Sequence, residues 1–160
     1  MKTLTISITK NTVLTDVKDN AWFTGRSRKN GTNDEAIAAM QAGEDESDVL
    51  FRFLEAANAD VRVPMSHALA RSESDTLTGE TDTLIADTLT YALTLNDNWD
   101  SSQQPALQQN IHAYLQNKVL GDWFTIANPS EAANYLAKAE DCLNNIRKAL
   151  SSRTRPVRLG

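Results

Sequence analysis

The chain has 160 residues, of which 41% are hydrophobic and 23% charged, and its formal net charge is −5. These values are typical of one folded domain with a substantial core, and they exclude a chain that is disordered throughout. No apolar run approaches the roughly 20 residues of a membrane-spanning helix, so we expect no membrane contact. The opening segment MKTLTISITK lacks the continuous apolar stretch of a secretion signal, which favours a protein made and used in the cytoplasm.

The first part of the chain predicts a strand and then a helix. Apolar residues alternate with threonine and serine over residues 3–9, which is typical of a strand with one buried face. We expect the following helix to be capped by Asn11 and Thr12 and to end at Gly25. The polar residues 26–34, RSRKNGTND, predict a loop.

Two further helices are predicted before the middle of the chain. Residues 35–40 favour a short helix, and residues 49–61 carry an apolar stripe at helical spacing that indicates a core-facing helix. Pro64 ends or kinks this second helix. The acidic residues 44–48 complement a helix N-terminus, which accounts for them without a metal site.

A β segment and two helices are predicted in the C-terminal half. Residues 72–83 are polar, with a turn expected at Gly79, and residues 88–95 then alternate apolar and mostly threonine side chains. This pattern favours a β-hairpin, or a longer β segment between helices, whose first strand is poorly marked. Helical spacing runs through residues 104–126 and resumes after Pro129, which suits a first helical position. Because the connection is so short, the two helices must be antiparallel. The predicted fold class is therefore α+β, mainly α: a helical bundle with a C-terminal antiparallel helical hairpin, an N-terminal strand or arm and an inserted β-hairpin.

Charge is unevenly distributed along the chain. Residues 72–146 contain eleven acidic side chains against two lysines, whereas residues 147–160 contain five basic side chains and no acid. This asymmetry indicates association with another molecule without identifying it.

We expect a single domain over residues 1–150 and an extended basic C-terminal arm over residues 151–160. The candidate partner-binding residues of this arm are Arg153, Arg155 and Arg158. Arginines bind carboxylates bidentately, so an acidic protein surface is the first expected target and DNA phosphate the second. A frayed, solvated terminus is the alternative.

Trp99, in the loop NDNWDSSQQP, is the remaining candidate partner-binding residue. The acids beside it lack the ligand register and central glycine of an EF-hand, so a capped loop is favoured over a calcium site. An aromatic ring between acids either anchors a partner or packs back onto its own helices, and the sequence leaves both alternatives open.

No catalytic, metal or cofactor site is predicted. His67 and His112 are far apart in sequence and have no acid at a ligand-like spacing, so each is expected to be satisfied locally or solvent-facing. Cys142 is the only cysteine and is expected to be a small buried apolar residue. Neither a phosphate-binding glycine loop nor a hydrolase nucleophile motif occurs, so we expect no enzyme and no cofactor.

The order of the predicted helices and strands is similar to that of a known class of proteins. A strand is followed by a helix ending in WFTG, a second amphipathic helix and a β segment. The helical hairpin has an aromatic-rich first arm, AYLQNKVLGDWFTIAN, and an alanine-rich second arm, SEAANYLAKAEDCLNNIRKAL, and the chain ends with RTRPVR. This layout resembles the small head–tail connector proteins (neck or adaptor proteins) encoded in the structural gene clusters of tailed bacteriophages.

The resemblance implies a structural virion protein that forms a ring in the neck, between portal and tail, after assembly in the host cytoplasm. Its partners would be copies of itself, the portal protein, and the tail or a second neck protein. DNA would pass through the lumen without sequence-specific contact, because an acidic lumen does not hold phosphate. A small cytoplasmic adaptor or regulator that binds an acidic partner through the C-terminal arm is the alternative, and an enzyme of unrecognised type is a third hypothesis.

Overall fold

The structure is a computed structural model, and it describes residues 1–27, 47–70 and 87–156. Its elements follow in the order β1 (Lys2–Thr9), α1 (Lys10–Ser27), α2 (Ser47–Arg62), β2 (Thr88–Leu95), a 3-10 turn (Ser101–Gln103), α3 (Gln104–Ala127) and α4 (Pro129–Ser151). The predicted short helix at residues 35–40 and the polar residues 72–83 that precede the predicted β segment lie outside the described residues. The mainly α architecture with some β structure is confirmed.

The antiparallel hairpin of α3 and α4 is confirmed. Only Asn128 separates the two helices, and its backbone N–H donates to the carbonyl oxygen of Phe124 at 2.7 Å. Pro129 occupies the first position of α4, where its missing N–H leaves no hydrogen bond unmade. The helices approach closely at Gly121, because a Cβ atom added there would lie 2.5 Å from the side chain of Leu136.

The sheet consists, among the described residues, of β1 and β2 paired antiparallel along their whole length. Both predicted strands are confirmed, and the buried face carries Ile6 and Ile8 from β1 opposite Tyr91 and Leu89 from β2. The other edge of β2 forms an isolated bridge at Leu69. Along its whole length, β2 therefore pairs with the N-terminal strand β1. The predicted β-hairpin did not include this long-range pairing.

The predicted ends of α1 are wrong. The helix begins at Lys10, directly after β1, because the Lys10 N–H donates to the carbonyl oxygen of Asp87 at 2.9 Å and needs no cap from Asn11 or Thr12. At its other end the helix continues past Gly25 to Ser27. Glycine costs a helix about 1 kcal/mol without forbidding it.

One apolar cluster joins the sheet and the four described helices. α1 contributes Val13 and Val17, and α2 contributes Leu50, Leu54 and Val61 of the predicted stripe, whose first residue, Val49, is exposed. α3 is buried along most of its length and packs against α1, α2 and α4. None of the described helices is long and apolar enough to cross a membrane.

Candidate functional site

Trp99 lies inside the molecule, against the C-terminal end of α4. Its side chain is 3% exposed, and its indole Nε1–H donates a hydrogen bond of 2.9 Å to the carbonyl oxygen of Ala149. A partner anchor requires an exposed ring, so the assignment of Trp99 as a partner-binding residue is corrected in favour of the other alternative. The physical reason is that the indole buries a large apolar area and satisfies a carbonyl group near the helix end.

The C-terminal arm starts by pairing with the loop that contains Trp99. Trp99 and Arg153 form an antiparallel β-bridge, and the Thr154 N–H donates to the carbonyl oxygen of Asn98 at 2.9 Å. Ser152, the residue after α4, has an extended backbone with φ −65° and ψ 135°. The arm therefore leaves the helix as extended chain from a fixed point on the body.

The predicted arginines differ in their surroundings. Arg153 is exposed, and its Nη1 donates to the carbonyl oxygens of Leu150 at 2.9 Å and Ser152 at 3.0 Å. A cation is favoured there by the helix dipole and by the carbonyl groups of the last turn. Arg155 is exposed beyond the pinned segment, and Arg158 lies outside the described residues. The structure thus brings Arg153 and Trp99 together, and partner binding by the arginines stays a prediction.

The N-terminus is attached to the same loop. Lys2 Nζ donates to the carbonyl oxygen of Trp99 at 2.8 Å, and the amino group of Met1 pairs with the carboxylate of Asp97. The hydrogen bond from this ammonium group, and then its charge, hold the pKa of Asp97 below its usual value. The N-terminal residues and the segment after α4 therefore both contact the loop around Trp99. We call this site the terminal junction, and it comprises the first residues of β1, residues 96–100 and residues 152–154.

Asp100 completes the terminal junction on the side of α3. Its Oδ1 accepts hydrogen bonds from the Ser102 hydroxyl at 2.7 Å and from the Ser102 backbone N–H at 3.0 Å. These two bonds favour the ionised carboxylate and lower the pKa of Asp100. The carboxylate caps the 3-10 turn that leads into α3.

His112 and Asp16 form a pair that the sequence did not predict. His112 Nε2 lies 2.8 Å from Asp16 Oδ2 and joins α3 to α1. The two residues are 96 positions apart, so no spacing in the sequence could have indicated their contact. The ring borders an open depression of about 460 Å³, and most of the side chains that line it carry a hydroxyl or carboxamide group. The ring of His112 thus has a hydrogen-bond partner within the protein, which is one of the two alternatives expected for it.

A second depression lies between the end of α2, α3 and α4, and we call it the interhelical groove. Its volume is about 470 Å³. Apolar side chains and acids line it, among them Val63, Tyr114, Leu136, Leu143, Asp60 and Glu140. The residues come from three separate segments, so only the packing of the helices brings them together.

Comparison with known proteins gives no match to a protein-family model, a curated protein or a solved structure. Within the part of the chain that the structure describes, no group of three or more histidine, cysteine or acidic residues is arranged to hold a metal ion. The features that bear on function are the terminal junction, the arm that leaves it and the interhelical groove.

Proposed function

We propose that this protein is a head–tail connector, or adaptor, of a tailed bacteriophage, and that it forms a ring in the virion neck between portal and tail. The proposed partners are further copies of the chain, the portal protein, and the tail or a second neck protein. Assembly takes place in the host cytoplasm. DNA passes through the ring without sequence-specific contact.

The observation that carries this proposal is the fixed departure of a basic arm from a helical hairpin. The arm is held at Thr154 by the loop around Trp99, so its free part starts at Arg155 in a defined place on every copy. A connector must contact a neighbouring ring at the same place on each subunit, and a pinned arm meets that need. Its arginines favour carboxylates on the neighbour, because charge-assisted bidentate bonds are among the stronger polar contacts.

The acidic character of the body supports passage of DNA. Residues 72–146 carry a balance of −9, from eleven acids and two lysines. Carboxylates that face a channel repel phosphate and prevent the binding that would slow DNA. In this proposal acids of the described residues 87–146 line the lumen, and Arg155 contacts protein.

The alternative proposal is a small cytoplasmic adaptor that binds one acidic partner through its C-terminal arm. The burial of Trp99 removes the one aromatic side chain that was predicted as a partner anchor, for this alternative as for the connector. Its binding would then rest on the same arm arginines as the docking of the connector, so the ring on the portal is what separates the two proposals.

The proposal is tested by co-expressing the full chain with the portal protein encoded in the same genome. We expect the two to co-purify, and electron microscopy to show a ring of this chain stacked on the portal. Mass spectrometry of purified virions should also detect the chain. Absence from virions together with failure to bind the portal would contradict the proposal and favour the adaptor.

A chain that ends at Thr154 is the matched control for the arm. It keeps the terminal junction and lacks residues 155–160, which include Arg155 and Arg158. We expect it to fold normally and to lose binding to the adjacent ring. If it docks as well as the full chain, the arm has no docking role.

A further inference from the structure

The edge of β1 that faces away from β2, which we call the β1 edge, carries backbone groups that no described residue binds. In an antiparallel pair, residues that bond the partner strand alternate with residues whose N–H and C=O groups point outward. The Lys10 N–H donates to the carbonyl oxygen of Asp87, and this bond continues the register of the two strands. The even-numbered residues of β1 are therefore the bonded ones. Those that point outward include Thr3, Thr5 and Ser7.

The opposite edge of the sheet follows the same alternation and is covered. The Thr94 N–H donates to the carbonyl oxygen of Ala68 at 2.6 Å, and the Ala70 N–H donates to the carbonyl oxygen of Ala92 at 2.9 Å. The even-numbered residues of β2 thus point away from β1 and bind the segment that follows α2. Among the described residues, the β1 edge is the edge of this sheet that stays open.

The β1 edge lacks the features that keep most strand edges from pairing. Residues 3–9 contain no charged side chain and no proline, and the strand pairs with β2 without a bulge from Lys2 to Thr9. The threonine and serine side chains of the strand are exposed. A long, regular and uncharged edge of this kind is a template for a further strand.

A second copy of β1 matches this edge. Antiparallel pairing of two β1 strands about Ile6 places Thr5 of one copy opposite Ser7 of the other, and Leu4 opposite Ile8. Outward N–H groups of each strand then meet outward carbonyl oxygens of the other. The hydroxyl side chains pair on the exposed face, and cross-strand pairs of threonine and serine stabilise a sheet.

The open depression of about 460 Å³ beside His112 gives this pairing room. Ile8 lines it from β1, and Pro105 and Gln108 line it from α3. Apart from His112, the side chains that line it are uncharged, as is the β1 segment that would lie beside it. Leu4 is half-buried in its own copy, so placing it opposite Ile8 of the other copy buries it further.

We propose that two copies of this chain pair antiparallel through the β1 edge and join their sheets into one continuous sheet. The contact is isologous, since each β1 edge binds the other. It stops at a dimer because residues 68–70 cover the far edge of β2. The inference does not rest on the connector function, because an isologous contact joins a pair of subunits and a ring needs a different contact between them.

The oligomeric state of the full chain tests this pairing. We expect sedimentation analysis to find a dimer that dissociates on dilution. Thr5→Lys places a charge on each edge strand, where the two lysines of a dimer are diagonal neighbours, and it should raise the dissociation constant by about tenfold. Thr5→Glu should have the same effect. A mixture of the two variants should dimerise again, because the opposite charges then attract each other.

Two further variants separate the edge from other effects. Ala92→Lys is the matched control, because Ala92 is exposed on the same face and lies opposite Thr5 on the inner strand. It should leave dimerisation nearly unchanged. Thr5→Pro removes an outward N–H that β2 does not use, so the chain should fold, as circular dichroism would show, and dimerise more weakly.

Three outcomes would overturn the proposal. The first is a chain that stays monomeric at the highest concentration measured. The second is a dimer that Thr5→Lys and Thr5→Pro leave unchanged, because the contact would then lie elsewhere. The third is an equal loss of dimer in Ala92→Lys, which would show a general effect of added charge.

Discussion

Trp99 illustrates how one side chain can join distant parts of the chain. Its ring packs against the end of α4, and its indole N–H donates a hydrogen bond to the carbonyl oxygen of Ala149. Its backbone carbonyl oxygen accepts a hydrogen bond from the ammonium group of Lys2. Its backbone also pairs with Arg153. The terminal junction therefore depends on this residue more than on any salt bridge at the surface, because exposed ion pairs contribute little.

Substitution of Trp99 should separate the contributions of burial and hydrogen bonding. We expect Trp99→Ala to lower the free energy of unfolding by about 3–5 kcal/mol, since it leaves a large cavity. Trp99→Phe retains most of the apolar contact and should cost about 1 kcal/mol for the lost hydrogen bond to Ala149. Urea denaturation measures both values. Trp22→Phe, at a partly exposed position, is the control and should change stability by less than about 0.5 kcal/mol.

The acids of the terminal junction should make stability depend on pH. The pKa values of Asp97 and Asp100 are lowered in the folded chain, by hydrogen bonds to the N-terminal ammonium group and to Ser102 respectively. A lowered pKa in the folded state stabilises it above the unfolded value of about 4, and this stabilisation is lost as the pH falls through the folded pKa. We expect the free energy of unfolding to decrease on acidification below about pH 4.

Asp100→Asn should make this acid dependence shallower, and Ser102→Ala should do the same because it removes the hydroxyl that stabilises the Asp100 carboxylate. The double variant should behave like Asp100→Asn alone, since both changes act on one interaction. Denaturation curves at several pH values provide the measurement. Independent, additive effects would show that Ser102 acts elsewhere.

At the scale of elements, the contact between α3 and α4 depends on a glycine. Gly121 is buried, and the Leu136 side chain occupies the space where a Cβ atom would lie, with Cδ2 at 2.5 Å and Cγ at 2.8 Å. Glycine is unfavourable inside a helix, so its presence in α3 is explained by close packing rather than by backbone conformation.

Gly121→Ala should lower the free energy of unfolding by about 1–3 kcal/mol through overpacking, despite the better helix propensity of alanine. The same substitution in a Leu136→Ala background should be neutral or stabilising by up to about 1 kcal/mol, because the clash is gone. A double-mutant cycle from denaturation curves measures this coupling. Equal costs in the two backgrounds would rule out the Leu136 contact as the cause.

At the scale of the whole molecule, the boundary between the folded body and the C-terminal arm does not lie at residue 150. The Asp100 N–H donates to the carbonyl oxygen of Ser152 at 3.3 Å, and Thr154 is bonded to Asn98. The folded body therefore extends through residues 152–154. The boundary of the arm is better placed after Thr154 than after Leu150.

Two truncations should distinguish these boundaries. Ending the chain at Thr154 should change the free energy of unfolding by less than about 0.5 kcal/mol. Ending it at Leu150 removes the backbone hydrogen bonds of the terminal junction and should cost about 1–3 kcal/mol. Thermal and urea denaturation of both chains measure the difference. Identical stabilities would mean that the pairing of residues 152–154 contributes nothing.

The spacing of apolar residues predicts helices and strands that bury one face in a common core. The stripe in α2, the alternation in β1 and β2, and the break at Pro129 are local patterns, and the structure confirms the elements that they predict, although Val49 of the stripe is exposed. The start of α1 was mispredicted because its first N–H is satisfied by Asp87, a residue that is distant in sequence. The pair of His112 and Asp16 was missed for the same reason.

By itself, the sequence determined the mainly α class, the two strands and the antiparallel hairpin, because hydrophobic period and proline act over a few residues. Only the tertiary structure decided that β2 pairs with the N-terminal strand, that Trp99 is buried against Ala149, and that three segments enclose the interhelical groove. These contacts join residues far apart in the chain, where packing of the whole core selects among many local possibilities.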